Sequence, residues 1–107
     1  MQEIDVDQLA ERIAAGGRVV DVREPDEYDG GHVPGALSVP LATVADHLEA
    51  FRDDEAGPVA VICQSGGRSG RAVDLLTDHD IEATNVIGGT GAWIASGRQT
   101  VTGDRPS

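Results

Sequence analysis

The stretch VAVICQSGGRS, residues 59–69, joins three kinds of sequence in eleven positions. Val59 to Ile62 is an unbroken apolar run after Gly57-Pro58, the pattern of a strand buried on both faces, as in a parallel sheet. Gly66 and Gly67 allow the backbone to curl. Ala72, Leu75 and Leu76 then mark a helical face from about Ser69 to Thr77. A strand end, a curl and a helix start leave backbone N–H groups turned inward, a geometry that binds anions. Cys63 stands at the base of the curl and is the chain's only cysteine. It reads either as a small buried apolar residue or as a nucleophile whose thiolate the loop stabilises. A core cysteine requires neither two glycines nor an arginine nor a helix start behind it, so the nucleophile is the preferred reading. Its pKa is then expected below the ordinary thiol value, with Arg68 supplying a planar set of cationic donors.

The flanking sequence alternates strands and helices. Asp5 reads as an N-cap with Gln8 three residues on, and Val6, Leu9, Ala10 and Ile13 form one helical face that Gly16 and Gly17 end. RVVDV (18–22) reads as a buried strand, Glu24 to Asp29 as a short helix with Pro25 in its first turn, and GGHVPGA (30–36) as a loop. Leu37 to Val39 predicts a short strand, Leu41, Val44, Ala45, Leu48 and Phe51 a second helix, and Asn85 to Ile87 another strand. Gly88 to Gly91 reads as a turn, and Ala92 to Ser96 as a final helix. Such alternation means an α/β domain with a mostly parallel sheet, whose site lies beyond the carboxyl ends of the strands. One such end presents Asp21 and Arg23, the other Cys63. Residues 1–98 are expected to form the single domain, and 99–107, which lack apolar periodicity, a loosely held tail.

Composition narrows the function. A chain of 107 residues suits one domain, and 39% hydrophobic with 25% charged residues is ordinary for a globular protein. No apolar run approaches the roughly 20 residues of a membrane span. The start MQEIDVDQLAE lacks the basic and apolar parts of a signal peptide, so a cytoplasmic location is expected, in keeping with one unpaired thiol. The three histidines are far apart, so no metal is expected. The net charge is −11, from 19 acidic residues against 8 basic ones, all arginine. That field repels nucleic acid and anionic membranes. It reads as a docking face for a basic partner or, preferably, as the mark of a salt-adapted or GC-rich organism. An anionic substrate would need a site that is locally positive against it.

Four motifs in order, DVREPDEY (21–28), GHVPGA (31–36), CQSGGRS (63–69) and GGTGAW (88–93), resemble those of the single-domain rhodaneses, a family of sulfurtransferases, and span most of the chain. The resemblance implies a three-layer fold with a twisted, mainly parallel five-stranded sheet and helices on both faces. It implies an enzyme that takes a sulfane sulfur from thiosulfate or a persulfide onto Cys63 and passes it to a thiol, cyanide or a sulfur-accepting protein, without a cofactor. The sequence leaves the oligomeric state open, with a monomer as the default expectation. Arg68 would bind the donor, and the N–H groups of Gln64, Ser65, Gly66, Gly67 and Ser69 would cradle the sulfur. The related cysteine phosphatases close a longer ring. Here only four residues separate Cys63 from Arg68, a space that suits sulfur better than phosphate. A non-catalytic, partner-binding module of the same fold is the other alternative.

Supporting residues carry two readings each. Asp21 bonds the loop or Arg68, or else nearby backbone, the latter preferred. Arg23 attracts anions or pairs with Glu27 or another acid. His32 acts as a base or, preferably, serves the turn. Arg71 extends the positive patch or is a solvated helix residue. Trp93 is expected in the core, and His47 and His79 in solvent. The sequence departs from the family pattern at Asp80, where a glycine commonly ends the helix, and at Arg98-Gln99, where a proline is often found.

Overall fold

The computed structural model describes residues 1–52 and 57–107. In chain order the elements are β1 (Glu3–Ile4), α1 (Val6–Ala14), β2 (Val19–Asp21), α2 (Pro25–Asp29), β3 (Leu37–Ser38), two 3-10 helices (Leu41–Asp46 and Leu48–Phe51), β4 (Val59–Ile62), α3 (Gly67–Asp78), β5 (Ala83–Val86) and α4 (Gly89–Ala95). The five strands lie in the order β1-β5-β4-β2-β3, and every neighbouring pair is parallel. No helix among the described residues is long and apolar enough to cross a membrane.

Alternation along the central strands divides the core into two layers. Val59, Val61 and Cys63 of the β4 stretch join Val20, Val22, Val44, Phe51, Ala72, Val73 and Leu76 under α3 and the 3-10 segment. Ala60 and Ile62 face the other way, toward Leu9 of α1, Tyr28 of α2 and Trp93 of α4. The fold is therefore three-layered, with helices on both faces of a buried sheet. The open end of that sheet, beyond Asp21, Ile62 and Val86, is where the loops that carry chemistry emerge.

Most expected elements are present, with instructive differences. Asp5 caps α1 in a reciprocal pair: Gln8 N–H donates to Asp5 Oδ1 at 2.8 Å, and Asp5 N–H to Gln8 Oε1 at 2.9 Å. The expected helix over 41–51 is two 3-10 turns instead. Thr43 N–H reaches Pro40 O, His47 N–H reaches Val44 O and Ala50 N–H reaches His47 O, all three residues back. Spacing of three suits both helix types, and the buried residues Val44 and Phe51 satisfy either. β1 escapes a pattern reading because it is two residues long. It is held by backbone bonds from Asn85 N–H to Gln2 O and from Ile87 N–H to Ile4 O.

Residues 99–107, expected to be loosely held, are tied down. Val101 pairs antiparallel with His32 through two 2.9 Å backbone bonds. Gly35 N–H donates to Pro106 O and Gly103 N–H to Asp29 O, while Trp93 Nε1–H donates to Gln99 O. Backbone pairing needs no apolar periodicity, which is why composition did not signal it. His32 is fully buried in this junction. It is stacked on Tyr28, its Nδ1 lies 2.8 Å from Tyr28 O and its Nε2 2.8 Å from Arg105 O. Burial first, then the charges of Asp21, Asp29 and Asp104, push the Tyr28 phenol up to about 12, so its hydroxyl stays protonated and donates to Ala36 O.

α3 ends as the sequence suggested. Asp80 has φ 59°, the only non-glycine with positive φ among the described residues, and Ile81 N–H closes back on Leu76 O at 2.9 Å. A left-handed L-residue costs about 1–2 kcal/mol, part of which glycine's greater chain entropy offsets. Asp80→Gly is therefore expected to raise stability by about 0.5–1 kcal/mol, seen as a melting temperature higher by a few degrees. A fall in melting temperature would contradict the assignment of this turn as a strained helix stop.

Candidate active site

Cys63 follows β4 directly, and its position is fixed from behind. Its carbonyl accepts from Thr90 N–H at 2.8 Å and from the Thr90 hydroxyl at 3.1 Å, and the Gln64 carbonyl accepts from Gly91 N–H at 3.0 Å. The first turn of α4, whose N–H groups have no partner within their own helix, thus draws the loop's first two carbonyls away from the sulfur. Gly89 makes this contact possible: a Cβ there would lie 2.5 Å from Cys63 O. Gly66, with φ 113°, turns the chain into α3. Its N–H then points at the sulfur, with Gly66 N to Cys63 Sγ at 3.1 Å. The Ser69 side-chain oxygen lies 3.3 Å from the same sulfur.

Cys63 is only 1% exposed, with core residues on one side and polar hydrogens on the other. Burial alone pushes the thiol up. The Ser69 side chain and the N–H groups of Ser69, Gly66 and Ser65 outweigh it, and the thiol ends below its ordinary value.

Two arginines flank the loop, and each is held by a carboxylate. Arg23, 3% exposed, is bound to Asp21: its Nε lies 3.1 Å from both carboxylate oxygens, and its Nη2 lies 2.9 Å from Oδ2. Its remaining donors reach Gly31 O at 2.8 Å and Gln64 Oε1 at 3.2 Å. Asp21 is therefore spent on Arg23 and not on the loop, on Arg68 or on backbone alone, although it also accepts from Arg23 N–H. The acid that Arg23 pairs with is thus Asp21 rather than Glu27. Glu27 faces Arg68, which donates through Nη1 and Nη2 at 2.6 and 2.9 Å. Bonding to Arg68, opposed by burial and aided by Glu24 N–H and the charges of Arg68 and Arg23, lowers Glu27 to about 2. Arg68 is raised in turn, first by its bonds to Glu27 and then, against burial, by the charges of Glu27, Cys63 and Asp21.

The structure thus brings Cys63, Ser65, Gly66, Ser69, Gln64, Arg23, Asp21 and Arg68 into one neighbourhood. His32 sits apart in the tail junction with both ring nitrogens occupied, so it is no base for Cys63. Arg71 is exposed one turn further along α3, and Gly67 begins that helix with open space around its Cα. Three contributors were missed: the Glu27 carboxylate, the Ser69 hydroxyl as distinct from its backbone, and Asn85, which bonds both Ser69 and Gly66. Only Glu27 had a sequence signal, its place inside DVREPDEY.

This fold and loop define a class, and the chain belongs to the rhodanese-like domain family, whose model matches residues 5–96. It is 39% identical over 87 residues to the uncharacterised protein YqhL of Bacillus subtilis, covering 78% of this chain and 68% of that one. It is 35% identical over 99 residues to thiosulfate sulfurtransferase 16 of Arabidopsis thaliana, covering 82% of each. A rhodanese-related protein from Thermoplasma volcanium superposes with a TM-score of 0.86 at 31% identity, over 96% of this chain and all of that one.

Two outcomes follow from the geometry. Gly89→Ala is expected to lose about 2 kcal/mol or more, from overpacking against the loop and from its positive φ, while Gly67→Ala stays within about 0.5 kcal/mol. Urea denaturation of both variants decides this, and equal losses would contradict it. Because Glu27 is depressed in the folded chain, its pairing stabilises fully above the ordinary 4.5, and that contribution fades as the pH falls toward about 2. Melting curves of Glu27→Gln should therefore lie below the parent at pH 6 to 7 (about the neutral plateau) and converge with it in acid. Curves that stay parallel would contradict the pairing.

Proposed function

We propose that the chain is a sulfurtransferase that carries a sulfane sulfur as a persulfide on Cys63. The reading rests above all on one observation: the Cys63 sulfur faces the N–H of Gly66 and the oxygen of Ser69 at the mouth of a short helix-capping loop. Polar hydrogens arranged this way stabilise a thiolate and, after reaction, the partly negative outer sulfur.

With thiosulfate as donor, the Cys63 thiolate attacks the outer sulfur and a new S–S bond forms. The donor's own S–S bond breaks, and its electron pair leaves with sulfite. Cys63 now bears a persulfide anion. An acceptor thiolate or cyanide attacks the outer sulfur, and the Cys63 thiolate is released. The chemistry is covalent catalysis in two displacements, and charge balances in both. Arg68 contributes from within its pair with Glu27, close enough to Cys63 for their charges to interact. Arg23 steadies the Gln64 side chain. The names of relatives such as the Arabidopsis thiosulfate sulfurtransferase support the same class of reaction. A cysteine phosphatase is disfavoured by the short ring.

Intact-mass measurement tests the reading. Reduced protein treated with thiosulfate, or separately with glutathione persulfide, is expected to gain one sulfur, which cyanide or a thiol removes. Cys63→Ser should gain none. Absence of an adduct with both donors at a verified free thiol would overturn the proposal, and turnover of an aryl phosphate would favour the phosphatase.

A further inference from the structure

We propose that Asn85 is a positioning residue that governs the reactivity of Cys63 by holding the single hydroxyl proton of Ser69. The argument begins with the orientation of a buried amide. Asn85 is 4% exposed in β5, and its side chain bridges two groups of the loop. Nδ2 donates to Gly66 O at 3.2 Å, and Oδ1 lies 2.5 Å from Ser69 Oγ. Turning the amide over would set its oxygen against the Gly66 carbonyl, two acceptors with no proton between them. The orientation is therefore fixed, and Oδ1 is the acceptor facing Ser69.

Ser69 Oγ has two neighbours that want its proton, Asn85 Oδ1 at 2.5 Å and Cys63 Sγ at 3.3 Å, and it has one proton to give. While Cys63 is a thiol, both contacts are satisfied: S–H donates to Ser69 Oγ, and Ser69 O–H donates to Asn85. Once Cys63 loses its proton to solvent, the sulfur is acceptor only. Ser69 can then serve the thiolate only by rotating away from Asn85, which strands a buried amide oxygen. Asn85 therefore holds the resting thiol back, and the N–H of Gly66 remains the donor on the sulfur in both states. Gly66 O keeps a second donor, Gly70 N–H at 3.1 Å, so the loop is not held by Asn85 alone. The charged groups around the loop set a baseline that is the same in every variant: Arg68 with Glu27, Asp21 with Arg23, and the exposed Glu3 across the β1–β5 pairing.

The inference rests on Cys63 being the reacting thiol and not on the identity of any sulfur donor. The test is the pH dependence of Cys63 alkylation by iodoacetamide, followed by intact mass, for the parent, Asn85→Ala, Ser69→Ala and the double variant. Asn85→Ala is expected to move the midpoint down by about half to one pH unit, because Ser69 is freed to serve the thiolate. In the double variant the effect of Asn85 should vanish, leaving the midpoint with that of Ser69→Ala. Asn85→Val, which suits a buried strand, should repeat the downward shift should the alanine variant prove unstable. An unmoved or raised midpoint in the Asn85 variants would overturn the proposal, as would a downward shift that persists without the Ser69 hydroxyl. Failure of sulfur loading with this coupling intact would overturn the proposed function alone.

Discussion

The site depends on the bonds that α4 makes to the back of the loop. Thr90 and Gly91 draw the carbonyls of Cys63 and Gln64 toward the start of α4. A peptide unit has two polar ends, so fixing the oxygens on one side helps leave the N–H groups on the other. The positive φ of Gly66 completes the turn. Cys63 then sits where a buried thiol would normally resist ionisation, yet its surroundings favour the anion. The apolar floor beneath it belongs to the sheet, and the polar roof belongs to loop and helix. Neither layer alone would produce that balance.

Charge follows a second constraint. The chain carries a net charge of −11, and both arginines at the loop are paired. The Asp21–Arg23 pair is buried, where desolvation opposes much of the Coulomb attraction, so its value lies in the extra bonds it directs to Gly31 and Gln64. The Arg68–Glu27 pair is partly exposed, and solvent weakens it. The groups that face the sulfur directly are accordingly uncharged, the N–H of Gly66 and the hydroxyl of Ser69. This also accounts for a loop that relies on glycines and a helix start more than on an accumulation of cations.

Much of this was legible in the sequence. VAVI announced a central strand, GG-R-S the curl and helix, and Asp5 with Gln8 a cap. The four motifs in order anticipated the five-stranded sheet. What stayed hidden was of two kinds. Short backbone pairings such as β1 and the Val101–His32 bridge leave no periodic trace, because their bonds involve no side chain. Side-chain partners distant in sequence, Arg68 with Glu27 and Ser69 with Asn85, are set by which strand ends meet, and no spacing rule reports that. The 3-10 segment was misread because a repeat of three satisfies two helix types.

A crystal structure of the protein after treatment with thiosulfate or glutathione persulfide bears most directly on the account. It should show one additional sulfur bonded to Cys63 Sγ and lying within hydrogen-bonding reach of the loop N–H groups, with Arg68 still on Glu27. An unmodified thiol, or a persulfide turned out of the ring toward solvent or core, would contradict the claim that this loop is built to hold a sulfur anion.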